Sequence, residues 1–181
     1  MPSFTPIFIP GLLCTELLFA KQRASLPNQG YIADTTRHDS IHDMAQAALD
    51  LCEGPLVPIG LSMGGYVALE MARLAPQRMA AMALLSTNCR DDSAQSQRQR
   101  QQAIALAKQK GFQGVTRRLM PRLLSEAALQ DEAIVADVLA MAAEIGRIGF
   151  VQQQTAIMGR RAQRDTLASF AAPVLVLCGN L

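Results

Sequence analysis

The run Gly60-Leu61-Ser62-Met63-Gly64-Gly65 has the clearest chemical potential in the chain, a G-x-S-x-G pattern between an apolar stretch, Leu56 to Leu61, and an amphipathic one, Met63 to Ala75. At a strand-to-helix junction this pattern makes a turn so tight that side chains two residues either side of the serine would collide. Gly60 and Gly64 remove them. The turn holds the serine backbone under strain and keeps its side chain out at the top of the sheet. A helix starting at Met63 directs free N–H groups and the positive end of its dipole to the same spot, so Met63 N–H is a candidate oxyanion donor. The chemistry implied is acyl transfer with Ser62 as nucleophile.

A serine hydroxyl needs a histidine to take its proton and a carboxylate to orient that histidine. On a G-x-S-x-G elbow the chain order is serine, acid, histidine. The two histidines, His38 and His42, both precede Ser62. They lie among Asp34, Asp39 and Asp43, which raises the question of a metal site. Ser40 with Asp43 has the form of a helix capping box, however, and a cap between the two imidazoles keeps them off a common helical face. They are expected to be surface residues near a helix start, with no metal bound. Cys14, Cys52, Cys89 and Cys178 are too widely spaced for a CxxC motif and are expected to be reduced, mostly buried thiols.

The elements that must position the elbow alternate along the first half of the chain. Strands are predicted over Thr5 to Pro10, Tyr31 to Thr36, Leu56 to Leu61 and Met82 to Thr87. Helices are predicted over Glu16 to Ser25 behind a Thr15 cap, after Ser40 with Ile41, Met44, Ala45, Ala48 and Leu49 on one face, and over Met63 to Ala75. Such alternation predicts a parallel sheet covered by helices on both faces. From Arg90 the sequence becomes rich in Gln, Arg and Ala and breaks into helical pieces at Gly111, Pro121, Gly146 and Gly159. This stretch holds 12 of the 17 basic residues and 8 of the 15 acidic ones, so it is net positive and the remainder net negative. Pro173 to Gly179 (PVLVLCG) then predicts a buried strand. The expected organisation is a core over 1–89, a helical insertion over 90–172 and a core strand in 173–181. Both ends of the insertion are expected at the elbow's edge of the sheet, so that it covers Ser62.

With 181 residues, half of them hydrophobic, and a net charge of +2, the chain fits one globular domain. Near-balanced charge and scarce aromatics give no reason to expect nucleic acid as a partner. No apolar run reaches the roughly 18 residues of a membrane span, and the N-terminal segment lacks the pattern of a cleaved signal, so a cytoplasmic location is expected.

Together, Ile9-Pro10-Gly11-Leu12-Leu13-Cys14, Gly60 to Gly65, the helical insertion and Pro173 to Gly179 resemble the α/β-hydrolases. Within them the likeness is to the short esterases related to pimeloyl-acyl-carrier-protein methyl ester carboxylesterases. The resemblance implies that the backbone N–H of Leu12 is the second oxyanion donor, although Pro10 stands where that family more often has histidine. It places the triad acid just beyond Leu181 and the histidine after a further strand, with terminal helices following. The 90–172 insertion would be a lid, and Arg117, Arg118 and Arg122 a basic face for an acidic carrier protein or a carboxylate-bearing substrate. A solvated helix face is the plainer reading of those arginines. Met120, Leu123, Leu124, Met141, Ile157 and Met158 are candidates for an acyl pocket.

The function expected is hydrolysis of a small or medium carboxylic ester through an acyl-enzyme on Ser62, without metal or organic cofactor. Residues 1–181 alone are expected to be inactive and to present Val174 to Leu177 as an apolar edge prone to aggregation. Thioesterase, perhydrolase and acyltransferase chemistry share the same elbow. The alternative from another class is a non-catalytic binding protein, or an inactive fragment, that keeps the fold.

Overall fold

In the computed structural model, which describes residues 4–109, 112 and 114–179, the alternating apolar segments form a parallel sheet. Its strands β1 (Thr5–Ile9), β2 (Tyr31–Ile32), β3 (Leu56–Leu61), β4 (Met82–Leu85) and β5 (Val174–Leu177) stand in the order β2-β1-β3-β4-β5. Ile9 pairs with Gly60 and Leu61 with Leu85, so the C-terminal ends of β1, β3 and β4 meet at one edge. Parallel neighbours cannot be joined by a hairpin, and the connections carry helices.

After β1, a 3₁₀ turn, Glu16–Phe19, capped by the Thr15 side chain, leads into α1 (Ala20–Ala24). The buried anchor here is Phe19, whose ring lies 5.2 Å from that of Phe8, whereas Leu17 faces solvent. β2 is shorter than the predicted Tyr31 to Thr36. Asp34 Oδ1 accepts from both the N–H and the hydroxyl of Thr36, a local turn that competes with the sheet ladder. α2 (Ile41–Leu49) starts where expected, with Ser40 Oγ accepting from Asp43 N–H, and buries the five predicted apolar positions. α3 (Met63–Leu74) packs against α2, β3 and β4. Ile7, Ile9, Met44, Leu56, Val67 and Met71, all essentially inaccessible, form the centre of the core.

Between β4 and β5 lie α4 (Ala94–Lys108), a 3₁₀ helix over Arg117–Arg122, α5 (Glu126–Leu129), α6 (Glu132–Met158) and α7 (Arg164–Ala168). Pro121 sits inside the 3₁₀ helix instead of breaking it, Gly146 at φ 64 kinks α6, and Gly159 caps it. The break expected at Gly111 lies outside the described residues, as does Leu181. The helical segment is closed at its roots: Gln163 N–H donates to Cys89 O, and Arg160 bridges to Arg90 O and to Asp92. Because β5 runs parallel to β4, the chain must cross to the opposite edge before pairing, and α7 against α3 is on that crossing.

β5 forms in the expected place, but it is not buried. Leu175, Val176 and Leu177 are 59%, 68% and 60% exposed, on both faces of the strand. Val174, at its start, packs against the core, and the strand pairs with β4 along its length. No helix among the described residues is long and apolar enough to cross a membrane.

Candidate active site

Ser62 occupies the single residue between β3 and α3, with φ 52 and ψ −109, a left-handed backbone that L side chains avoid. Three contacts fix it there. Its N–H donates to Leu85 O at 2.9 Å, and its carbonyl accepts from Gly65 N–H and from the Thr87 hydroxyl at 2.7 Å. A Cβ on Gly60 would lie 2.2 Å from Gly64 O, and one on Gly64 would lie 1.9 Å from Ile9 O. Those approaches are too close for any side chain, so both glycines expected from the spacing are required by the packing.

The loop after β1 lies against this turn. A Cβ on Gly11 would stand 3.6 Å from Ser62 Cβ. Cys14 N–H donates to Gly11 O, closing a turn in which Leu13 has φ 59. Gly11 and Leu12 share with Ser62 the wall of one open cavity of about 730 Å³. Met63 is the first residue of α3, so its N–H has no intrahelical acceptor. No hydrogen bond to Leu12 N–H or Met63 N–H forms among the described residues. The arrangement can hold a carbonyl carbon at Ser62 and present backbone N–H groups to the oxygen.

The rest of the cavity is mainly apolar and is built largely by the helical segment. Of the pocket residues predicted from sequence, Leu123, Leu124 and Met141 line it. Met120 and Ile157 are buried in packing elsewhere, and Met158 is not on its wall. Phe112 and Phe150, with ring centroids 5.0 Å apart, contribute the aromatic part that sequence reading missed. Among the described residues its charged wall side chain is Arg122. Arg117 is instead paired with Glu132 at 2.8 Å, while Arg118 is exposed. Cys14, also on the wall, has its thiol pushed up to about 11 by burial, partly opposed by a hydrogen bond with the Gly11 backbone.

Neither histidine lines this cavity. His42 is exposed near the α2 start, and its Nδ1 lies 3.2 Å from Glu70 Oε1 beside a separate small cavity. Glu70 is 3% exposed and also accepts hydrogen bonds from Arg73 and Gln163. Burial alone would raise its carboxyl, but the hydrogen bonds from Arg73, His42 and Gln163 and the Arg73 charge outweigh that and hold it at about 2. This network ties α2 and α3 to the end of the helical segment. The sequence hint of it was Glu70 on the mainly apolar helix α3 with Arg73 three residues on, an i,i+3 charge pair. No cluster of potential metal ligands occurs among the described residues, and Cys178 is exposed while Cys14, Cys52 and Cys89 are half-buried.

Several solved structures share this architecture. A thermophilic esterase from Thermogutta terrifontis superposes with a TM-score of 0.88 at 23% identity, over 98% of this chain and 72% of that one. The enol-lactonase from Burkholderia xenovorans gives 0.76 at 19% identity, over 98% and 74%. A structure from a study of Nitrososphaera gargenis carboxylesterases gives 0.77 at 15%, over 98% and 72%. At these identities the likeness concerns the fold. No curated protein sequence matches the chain. The family model described as serine aminopeptidase, S33, matches residues 24–181. With that match across a parallel sheet whose elbow carries a serine between glycines, the chain belongs to the serine aminopeptidase S33 family of α/β-hydrolases.

Proposed function

We propose that this chain carries the nucleophile of a serine hydrolase acting on carboxylic esters through an acyl-enzyme on Ser62. The observation that carries the reading is Ser62 itself, strained at φ 52 on the β3–α3 junction and opening onto an apolar cavity beside Gly11 and Leu12. Ser62 Oγ attacks the ester carbonyl, and the oxygen that gains charge accepts from Met63 N–H and Leu12 N–H. The alcohol leaves with a proton, and water then cleaves the acyl-enzyme. Since neither His38 nor His42 lines the cavity, the base and its carboxylate come from residues outside 1–181, in the order acid then histidine.

The helices from Ala94 to Met158 act as a lid over Ser62, and their apolar side chains take up the acyl group. Neighbours named as an esterase and an enol-lactonase support ester chemistry. An aminopeptidase reading would need a carboxylate to pair a substrate ammonium, whereas the charged wall residue among those described is Arg122. Arg118 and Arg122 are the arginines left to face an acidic carrier protein or a substrate carboxylate, because Arg117 is engaged by Glu132.

The test is hydrolysis of p-nitrophenyl acetate, butyrate and octanoate by the gene product carrying residues 1–181, beside its Ser62→Ala variant. Turnover that falls on the order of 10⁶-fold in kcat with alanine is expected for a complete triad. Undiminished turnover by the alanine variant would overturn the nucleophile assignment. Saturable ester binding without turnover would favour a binding protein that keeps the fold.

A further inference from the structure

Gln153 is wholly inaccessible, yet it lies on α6 in company that an apolar side chain would suit. Its amide is fully used. Oε1 accepts from Leu13 N–H at 2.9 Å, and Nε2 reaches Thr35 O at 3.3 Å and Thr35 Oγ1 at 3.2 Å. One side chain therefore joins the loops that follow β1 and β2 to the helix above them. The bond to Leu13 falls on the residue with φ 59, in the turn that carries Leu12. A left-handed leucine persists only where its surroundings impose it.

We propose that Gln153 is the positioning residue of the oxyanion loop: by holding Leu13 N–H it keeps the left-handed turn that presents Leu12 N–H to the Ser62 cavity. This rests on the reading of Ser62 and Leu12 given above. The chemistry of the site selects glutamine, since Leu13 needs an acceptor and the Thr35 carbonyl a donor, both inside a dry core. A glutamate would oppose the Thr35 carbonyl when ionised, and a methionine of similar size would leave both groups unpaired. Phe150, three residues earlier and so on the same helical side, lines the cavity.

The experiment compares Gln153→Met, Gln153→Glu and Thr35→Val in the gene product carrying residues 1–181, with amide hydrogen exchange resolved at Leu13 alongside ester kinetics and thermal melting. Gln153→Met should speed Leu13 exchange and lower kcat on the order of 10²-fold with little change in KM, as for loss of one oxyanion donor. Thr35→Val, which leaves the Leu13 bond in place, should lose thermal stability while holding kcat within about threefold and Leu13 exchange unchanged. Gln153→Glu, the variant that decides if the methionine form does not fold, keeps an acceptor for Leu13 N–H and loses only the donor to Thr35, so at matched pH it should keep Leu13 protected relative to neighbouring core amides while losing thermal stability. Unchanged Leu13 exchange in Gln153→Met, or Leu13 protection lost in a folded Gln153→Glu, would overturn the proposal, as would kcat losses that merely follow the melting temperature across all variants. A wild-type protein without esterase turnover would defeat the proposed function instead, and the exchange measurement would still decide whether Gln153 holds the loop.

Discussion

β3 and β5 are both short apolar strands paired in parallel with β4, yet they stand in opposite physical states. β3 lies between two neighbours, is covered by α3 and ends in a turn with no space for a single added carbon. Among the described residues β5 has β4 as its one neighbour and leaves Leu175, Val176 and Leu177 exposed, with Val174 packed on the core. Hydrophobic sequence specified that each would be a strand. Position in the sheet decided which one is packed, and only the packed one can hold a strained residue such as Ser62.

The comparison predicts very different tolerance to substitution. Gly64→Ala should have the largest effect, because its Cβ would sit 1.9 Å from the Ile9 carbonyl and neither backbone can yield without moving β1. A loss of about 4 kcal/mol or more, or no folded protein, is expected in urea melts. An alanine variant of near wild-type stability would show the elbow to be far looser than described.

Next in size is the Glu70 network, which braces α3 behind the elbow. The folded carboxyl at about 2 lies below its ordinary 4.5, so its contribution is present above about pH 4.5 and lost as pH falls toward 2. Glu70→Gln should therefore cost on the order of 2 kcal/mol at pH 7 and much less at pH 3. Equal losses at both pH values would remove the charge from the account.

At β5 the expected effect on stability is smallest. Val176→Lys should change the unfolding free energy by no more than about 0.5 kcal/mol, since the side chain is already exposed. The same change should reduce self-association of residues 1–181 by placing a charge on an apolar edge with unpaired backbone groups. Light scattering of the two proteins checks this, and a Val176→Lys protein that melts several degrees lower would mean that the strand is covered after all. Thiol labelling sharpens the same contrast. At pH 8, iodoacetamide should modify exposed Cys178 first, while Cys14, with its thiol near 11 beside the elbow, should react last.

The parallel order of elements was legible because each strand carried its own apolar run and turn signal, and α2 its whole buried face. The elbow was legible because tight backbone approach leaves glycine as the sole solution at Gly60 and Gly64. Pro173 to Gly179 was legible as a strand from its apolar run, and its exposure is that of a strand with one neighbour among the described residues. Phe150 was missed on the cavity wall, and Gln153 behind it, because helical spacing alone cannot distinguish a cavity wall from ordinary packing, and Phe112 because it lies in no regular element. A glutamine between Phe150 and Ile157 on one side of α6 was the available clue.

The central claim is that Ser62 is an acylable nucleophile, and active-site labelling tests it most directly. The gene product carrying residues 1–181 would be treated with a fluorophosphonate, digested, and the modified residue located by mass spectrometry. The account predicts a single stoichiometric adduct on Ser62, absent from Ser62→Ala and from heat-unfolded protein. An adduct on another residue, or none on a folded wild-type protein that hydrolyses esters, would contradict it.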